Sequence, residues 1–299
     1  MFRAFSRNIH TITSGGKYTL EFKKYLADAK GRPQSFFHDV PLNYDRAEGT
    51  VNMVVEIPRY EQGKFEISKE LPLNPIVQDT KKGKPRFINN IYPFHGYPCN
   101  YGAVPQTWED PTLAIDVDGK QYYGDNDPLD ICEIGSNVDQ AATVGTLKRV
   151  KILGCLAMID DGEMDWKLLA IDTADKLAPH LHDVPDVEEK MPLLLENLTR
   201  WFKNYKLPMN KPENEFAFQG RWLGRARALD VIDECHHRWQ ALVAGSHTGK
   251  KFPLIANETL PETPGFQTVQ QLETVKTVFE NNGSDHVPLE AREIFYYRQ

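Results

Sequence analysis

Apolar and polar positions follow two different periods along this chain. Up to about residue 170 the apolar residues come in short runs or alternate, as in strands. "YTLEFKKYL" (18–26) is partly alternating, and "TVNMVVEIP" (50–58) is β-branched and closes on Pro58, so residues 17–60 read as strands. "NPIVQDTKKGKPRFIN" sets a short apolar run before a basic turn at Lys81–Lys84, which predicts a hairpin. "HGYPCNYGAVPQTW" (95–108), rich in Gly, Pro and aromatics, predicts an ordered loop. "PLDICEIG" and "LKRVKILGCLAMID" predict buried strands; "DDGEMD" is a turn from which "WKLLAID" returns.

Helical spacing appears later. "DVEEKMPLLLENLTRWFKNYKL" (186–207) predicts one helix, with Asp186 as its N-cap, Glu189 three residues on, and a stop before Pro208. "ARALDVIDECHHRWQALVAG" predicts a second, ended by Gly245. From about Asn257 the chain turns polar, with Pro261 and Pro264, and reads as an extended tail that wraps the domain. Strands followed by helices give an α+β class, mainly β: a barrel flanked by helices.

Composition narrows the function. The chain has 299 residues, 40% of them hydrophobic, enough for a sizeable core. A net charge of −7 argues against nucleic acid or an anionic membrane as partner, and no apolar run has the length of a transmembrane segment. The four cysteines form no CxxC pair and read as reduced thiols rather than zinc ligands. The N-terminus, "MFRAFSRNIHTITSGGKYTL", carries Arg3, Arg7 and Lys17 and no acid before Glu21. That pattern suits a mitochondrial presequence over residues 1–16; a disordered tail on a cytoplasmic protein is the alternative.

The chemistry concentrates in "YYGDNDPLDICEIG", where Asp125, Asp127 and Asp130 fall within six residues. On an extended segment 125 and 127 share a face, and Asp130 rejoins it after Pro128. Carboxylates this close disfavour one another's ionisation. Either water screens them on a surface turn, or a hard divalent cation such as magnesium or calcium gathers them. An EF-hand does not fit, since Leu129, Asp130 and Ser136 fall at its required positions. "IDDGEMDWK" adds Asp160, Asp161, Glu163 and Asp165 around Gly162, a surplus that suits several ions or one free base. Lys64, which alternates with Glu66, and Arg86, Tyr97, Tyr101, Tyr205 and Lys206 could converge on such a metal-rich acidic pocket, where the Arg, Lys and Tyr groups would suit an anion bound through metal ions, although each alone reads as an ordinary surface or core residue. "GSHTGKK" lacks P-loop spacing; G-x-S-x-G and H-E-x-x-H do not occur; adjacent His236 and His237 point to different faces of a helix.

"DNDPLDI" fits the signature D-x-D-P-[apolar]-D-[apolar], and the chain resembles the family I soluble inorganic pyrophosphatases. "NMVVEIPR", "KFEISKE", "HGYPCNYGAVPQTWEDP", "IDDGEMDWK", "WFKNYKLP" and "KPENEFAF" resemble the eukaryotic branch, over about residues 17–250. The N-terminal extension, "FFHDVPL" and the late "FYY" resemble the fungal mitochondrial form. The resemblance implies an OB-like five-stranded barrel with flanking helices (17–256) and a homodimer; the tail read over 257–299 gives no clear match to the family. Tyr60 stands where many relatives carry Trp, in a segment near the family's dimer contact. It also implies hydrolysis of pyrophosphate with three to four Mg²⁺ per site, other divalent ions being able to substitute. Asp125, Asp130 and Asp165 would ligate the first ion, with Asp130 reaching the second. Asp127 would be general base on the water between them, Asp160 and Asp165 would hold a third ion, and Glu66 a fourth through water. Lys64 and Tyr101 would contact the electrophilic phosphate, and Arg86, Tyr205 and Lys206 the leaving one. Glu56, Tyr97 and Glu163 would support these groups from behind.

Overall fold

The computed structural model describes residues 10–117, 119–136, 142–249, 251–267 and 283–297. The centre of the molecule is a closed ring of five strands: β3 (Thr50–Ile57), β6 (Asn100–Ala103), β7 (Asp130–Glu133), β8 (Leu147–Asp160) and β9 (Glu163–Asp172). β3 pairs antiparallel with β6, β6 with β7, β8 with β9 and β8 with β3, while β7 and β9 run parallel. Beside it lies a smaller sheet of β1 (His10–Ser14), β2 (Lys23–Ala27), β4 (Phe65–Ile67) and β5 (Ile76–Gln78). The chain is mainly β with few helices, as expected.

The ring strands read as near-continuous apolar runs because both faces are covered. Met164, Trp166, Leu168 and Ala170 face a core that includes Leu229, Ile232 and Cys235 of α3 (Arg225–Val243). Leu169 and Ile171 join the opposite core with Leu195, Leu198, Trp201 and Phe202 of α2 (Leu194–Asn204). Gly102 makes the ring possible at β6, where register shifts against β3: a Cβ there would stand 1.9 Å from the Val54 carbonyl oxygen.

The expected single helix over 186–207 is two. α1 spans Val184–Lys190, and Pro192, which has no amide hydrogen to donate to a helical ladder, lies in the break before α2. The N-cap is Asp183, not Asp186; Asp186 stands at the third helical position and closes a capping box with it. The loop expected over 95–108 contains β6, since Asn100–Ala103 finds partners on both sides. The first expected strand begins late, at Lys23, after a turn with Tyr18 at φ 69°. The basic hairpin forms as expected, Thr80–Lys81 against Lys84–Pro85. Of the expected presequence, residues 1–9 lie outside the described residues, while His10–Ser14 pair with β2. The tail wraps the body: buried Asp39 accepts the N–H groups of Glu258 and Thr259 at 2.8 and 2.9 Å, and Phe295–Tyr296 pair with Asn90–Ile91.

His38 ties that wrapping to stability. Its Nδ1 accepts the Trp239 indole N–H at 3.0 Å, and Nε2 lies 3.0 Å from the Leu254 carbonyl. Indole only donates and a carbonyl only accepts, so the ring is neutral with its proton on Nε2. Burial pushes the pKa down from 6.5 to about 4. A group depressed in this way stabilises the fold above pH 6.5, and that contribution is lost as pH falls toward 4. His38→Gln should therefore narrow its stability gap to the parent by roughly 2–3 kcal/mol between pH 7 and pH 4.5. Urea denaturation at the two pH values reads this; a gap that stays constant would show that His38 does not resist protonation.

Candidate active site

The two acidic motifs meet at one mouth of the ring because of strand register. β7 pairs with β9 so that Asp130 lies opposite Lys167, and Asp165, two residues earlier on β9, shares the Lys167 face. Ala103 pairs with Asp130, which sets Tyr101 on the neighbouring strand diagonal to it. The Tyr101 hydroxyl donates to Asp130, and Lys167 Nζ reaches both Asp130 and Asp165, the latter at 2.5 Å.

Asp125 and Asp127 do not lie on an extended segment. They flank Asn126 at φ 72°, in a turn held by Asp127 N–H to Asp125 Oδ1 at 2.9 Å. Glu109 brackets that turn with its main chain: its N–H donates to Asp127 O and its carbonyl accepts from Asn126 N–H, both at 2.9 Å. Both carboxylates still turn into the same cavity as Asp130.

That cavity is lined by all fourteen residues implied by the resemblance: Glu56, Lys64, Glu66, Arg86, Tyr97, Tyr101, Asp125, Asp127, Asp130, Asp160, Glu163, Asp165, Tyr205 and Lys206. Asp161 and Lys167 join them, with Phe65, Trp201 and Phe202 among its apolar walls. Lys167 escaped the sequence reading, although period-two spacing from Asp165 put it on the same face. Lys69, 2.8 Å from Asp127, and Glu109 were missed too, although both lie inside motifs that carry the resemblance, "KFEISKE" and "HGYPCNYGAVPQTWEDP".

Charge in the cavity is unbalanced. Nine carboxylates face four cationic side chains, Lys64, Arg86, Lys167 and Lys206. Burial pushes the carboxyl of Asp125 up, and the charges of Asp127 and Asp165 add to this. Asp165 is raised by burial to about 7 despite Lys167. Asp127 is raised by burial while Lys69 pulls it back. Glu56 is raised by burial and by Asp130, and accepts the Ile67 N–H at 2.7 Å. Burial works to lower Lys64 and Lys167, yet Glu66 and Asp130 respectively help to hold them well above the ordinary lysine value. Lys206 pairs with Asp160, Lys64 with Glu66 at 2.6 Å, and Arg86 with Asp79 at 2.7 Å. Burial raises the Tyr97, Tyr101 and Tyr205 phenols, so they stay protonated donors. An all-oxygen donor set with excess negative charge fits hard divalent cations. One oxygen each of Glu109, Asp125 and Asp165 lies within 4.8 Å of the others.

Comparison with known proteins agrees with this geometry. Residues 53–240 match the family model described as inorganic pyrophosphatase. The chain is 53% identical over 243 residues to the mitochondrial inorganic pyrophosphatase of Saccharomyces cerevisiae, covering 80% of this chain and 77% of that one. It superposes on the inorganic pyrophosphatase of Schistosoma japonicum with a TM-score of 0.89 at 38% identity, over 97% of this chain and 100% of that one. A truncated Trypanosoma cruzi vacuolar soluble pyrophosphatase, solved in complex with PPi, gives 0.69 at 36% identity, over 81% and 94%. By fold, by the residues gathered at the ring mouth and by this similarity, the chain belongs to the inorganic pyrophosphatase family.

Proposed function

We propose that this chain hydrolyses inorganic pyrophosphate to two orthophosphates, using Mg²⁺ held by the cavity carboxylates, three to four ions per site. The observation that carries the proposal is the meeting of acids and cations in one cavity. The acids suit the metal, and the cations and phenols suit the polyanion. Asp125, Asp130, Asp165, Asp160 and Glu66 would hold the ions. Bound magnesium would neutralise phosphate charge and lower the pKa of water from about 15.7 toward 7.

Asp127 then accepts the proton of the attacking water. Its place beside Lys69 suits it to wait ionised, as a general base must. Lys64 and Tyr101 hold the phosphate under attack. Arg86, Tyr205 and Lys206 hold the departing phosphate, onto which the electrons of the broken P–O bond go. Glu56, Tyr97 and Glu163 keep these groups in place. The closed ring of strands is the OB-like barrel in this reading. Phosphate release from pyrophosphate with Mg²⁺, set against ATP as substrate, tests the proposal. Absence of release from pyrophosphate would overturn it, and preference for ATP would point to a nucleotide hydrolase.

We further propose a homodimer through the face around exposed Tyr60, to be checked by sedimentation. A mitochondrial location is favoured by basic, acid-free residues 1–20 and by the mitochondrial designation of the S. cerevisiae relative. Replacing Arg3 and Arg7 by Glu should keep a fluorescent fusion out of mitochondria. A cytosolic parent fusion would overturn that location. No helix among the described residues is long and apolar enough to cross a membrane.

A further inference from the structure

We infer that Glu109, which lies behind the cavity lining next to Asp125 and Asp165, is a further metal-binding carboxylate, supplying an oxygen to the divalent cation held between those two residues. The inference rests on the magnesium reading given above and adds a residue to it. Glu109 is 2% exposed. Its Oε1 accepts the Trp166 N–H at 3.1 Å, whereas Oε2 is buried with no hydrogen-bond partner. A bare carboxylate oxygen in a protein interior is strongly disfavoured unless something cationic or protic meets it.

Its surroundings make the need greater. Oxygens of Glu109, Asp125 and Asp165 lie within 4.8 Å of one another, three acids around one point. Lys167, 2.5 Å from Asp165 Oδ1, is shared with Asp130. Oxygens on one octahedral magnesium stand about 3 Å apart when adjacent and about 4 Å when opposite, given metal–oxygen distances of about 2.1 Å. The trio therefore converges on one ion once its side chains draw together around it. Glu109 is also firmly placed to act as a ligand, because the main chain that brackets the Asp125–Asp127 turn carries this side chain. The competing account is a proton shared between two carboxyl groups, with no part in metal binding.

Glu109→Gln separates the two. Glutamine keeps the size and an oxygen for the Trp166 N–H but removes the charge. Calorimetric titration with Mg²⁺ alone, without substrate, should show binding weakened by roughly 10- to 100-fold. Thermal denaturation should show a higher Tm than the parent without metal, because like-charge repulsion is relieved, and a smaller gain on adding Mg²⁺. A residue that only packs would lower Tm under both conditions. Unchanged Mg²⁺ affinity in Glu109→Gln overturns the inference. A parent that binds no Mg²⁺ overturns the magnesium reading itself. If the Gln variant does not fold, Glu109→Asp decides: it keeps the charge but withdraws the oxygen by one methylene. Weakened Mg²⁺ binding then supports the assignment, and parent-like binding removes it.

Discussion

Asp127→Asn is expected to lower kcat by about 10²- to 10⁴-fold, the usual loss when a general base is removed, while Mg²⁺ binding is largely retained. The amide keeps the volume of the carboxylate and cannot accept the proton of the attacking water. Asp127 N–H is held by Asp125 Oδ1 and Asp127 O accepts the Glu109 N–H, main-chain groups that the substitution leaves in place, so the turn persists in the variant. The defect should therefore appear in turnover and not in the magnesium titration. Measuring kcat from pH 6 to pH 9 at saturating Mg²⁺ is the check. Turnover near the parent's at every pH would remove Asp127 from the role of base; a lost magnesium isotherm would make it a ligand instead.

The residues of the cavity were legible in the sequence through the resemblance of its motifs, and strand register is what gathers them in the fold. Asp165 and the 125–130 carboxylates belong to segments whose apolar runs specify neighbouring ring strands. Pairing β7 with β9 then brings Asp130 beside Asp165's own face. What the sequence hid was long-range or main-chain in origin. The left-handed backbone at Asn126 turns two carboxylates inward where simple alternation had them on a strand. Glu109 meets Asp125 and Asp165 only through folding, from a segment with no acidic repeat to advertise it. Lys69 reaches Asp127 from beyond the end of a short strand, where alternation stops being informative. The helix over 186–207 was misjudged for a local reason: apolar spacing continues through Met191–Leu194, but Pro192 cannot donate its share of the helical ladder.

Asp130→Ala should do something different from Asp127→Asn: magnesium affinity and turnover should fall together, turnover by at least about 10²-fold. Asp130 is proposed to reach two ions, so its loss would remove a ligand from each. In the protein alone it also receives Lys167 and the Tyr101 hydroxyl. Without it, Lys167 leans wholly on Asp165. That pairing would compete with the metal for a carboxylate proposed to serve two ions. Raising Mg²⁺ should therefore recover part of the activity by mass action, but the saturated rate should stay low because the lost oxygen is not replaced. The measurement is kcat as a function of free Mg²⁺, alongside calorimetric titration without substrate. A variant that titrates like the parent would exclude bridging by Asp130. Full recovery of kcat at high Mg²⁺ would leave it a ligand whose place water can take.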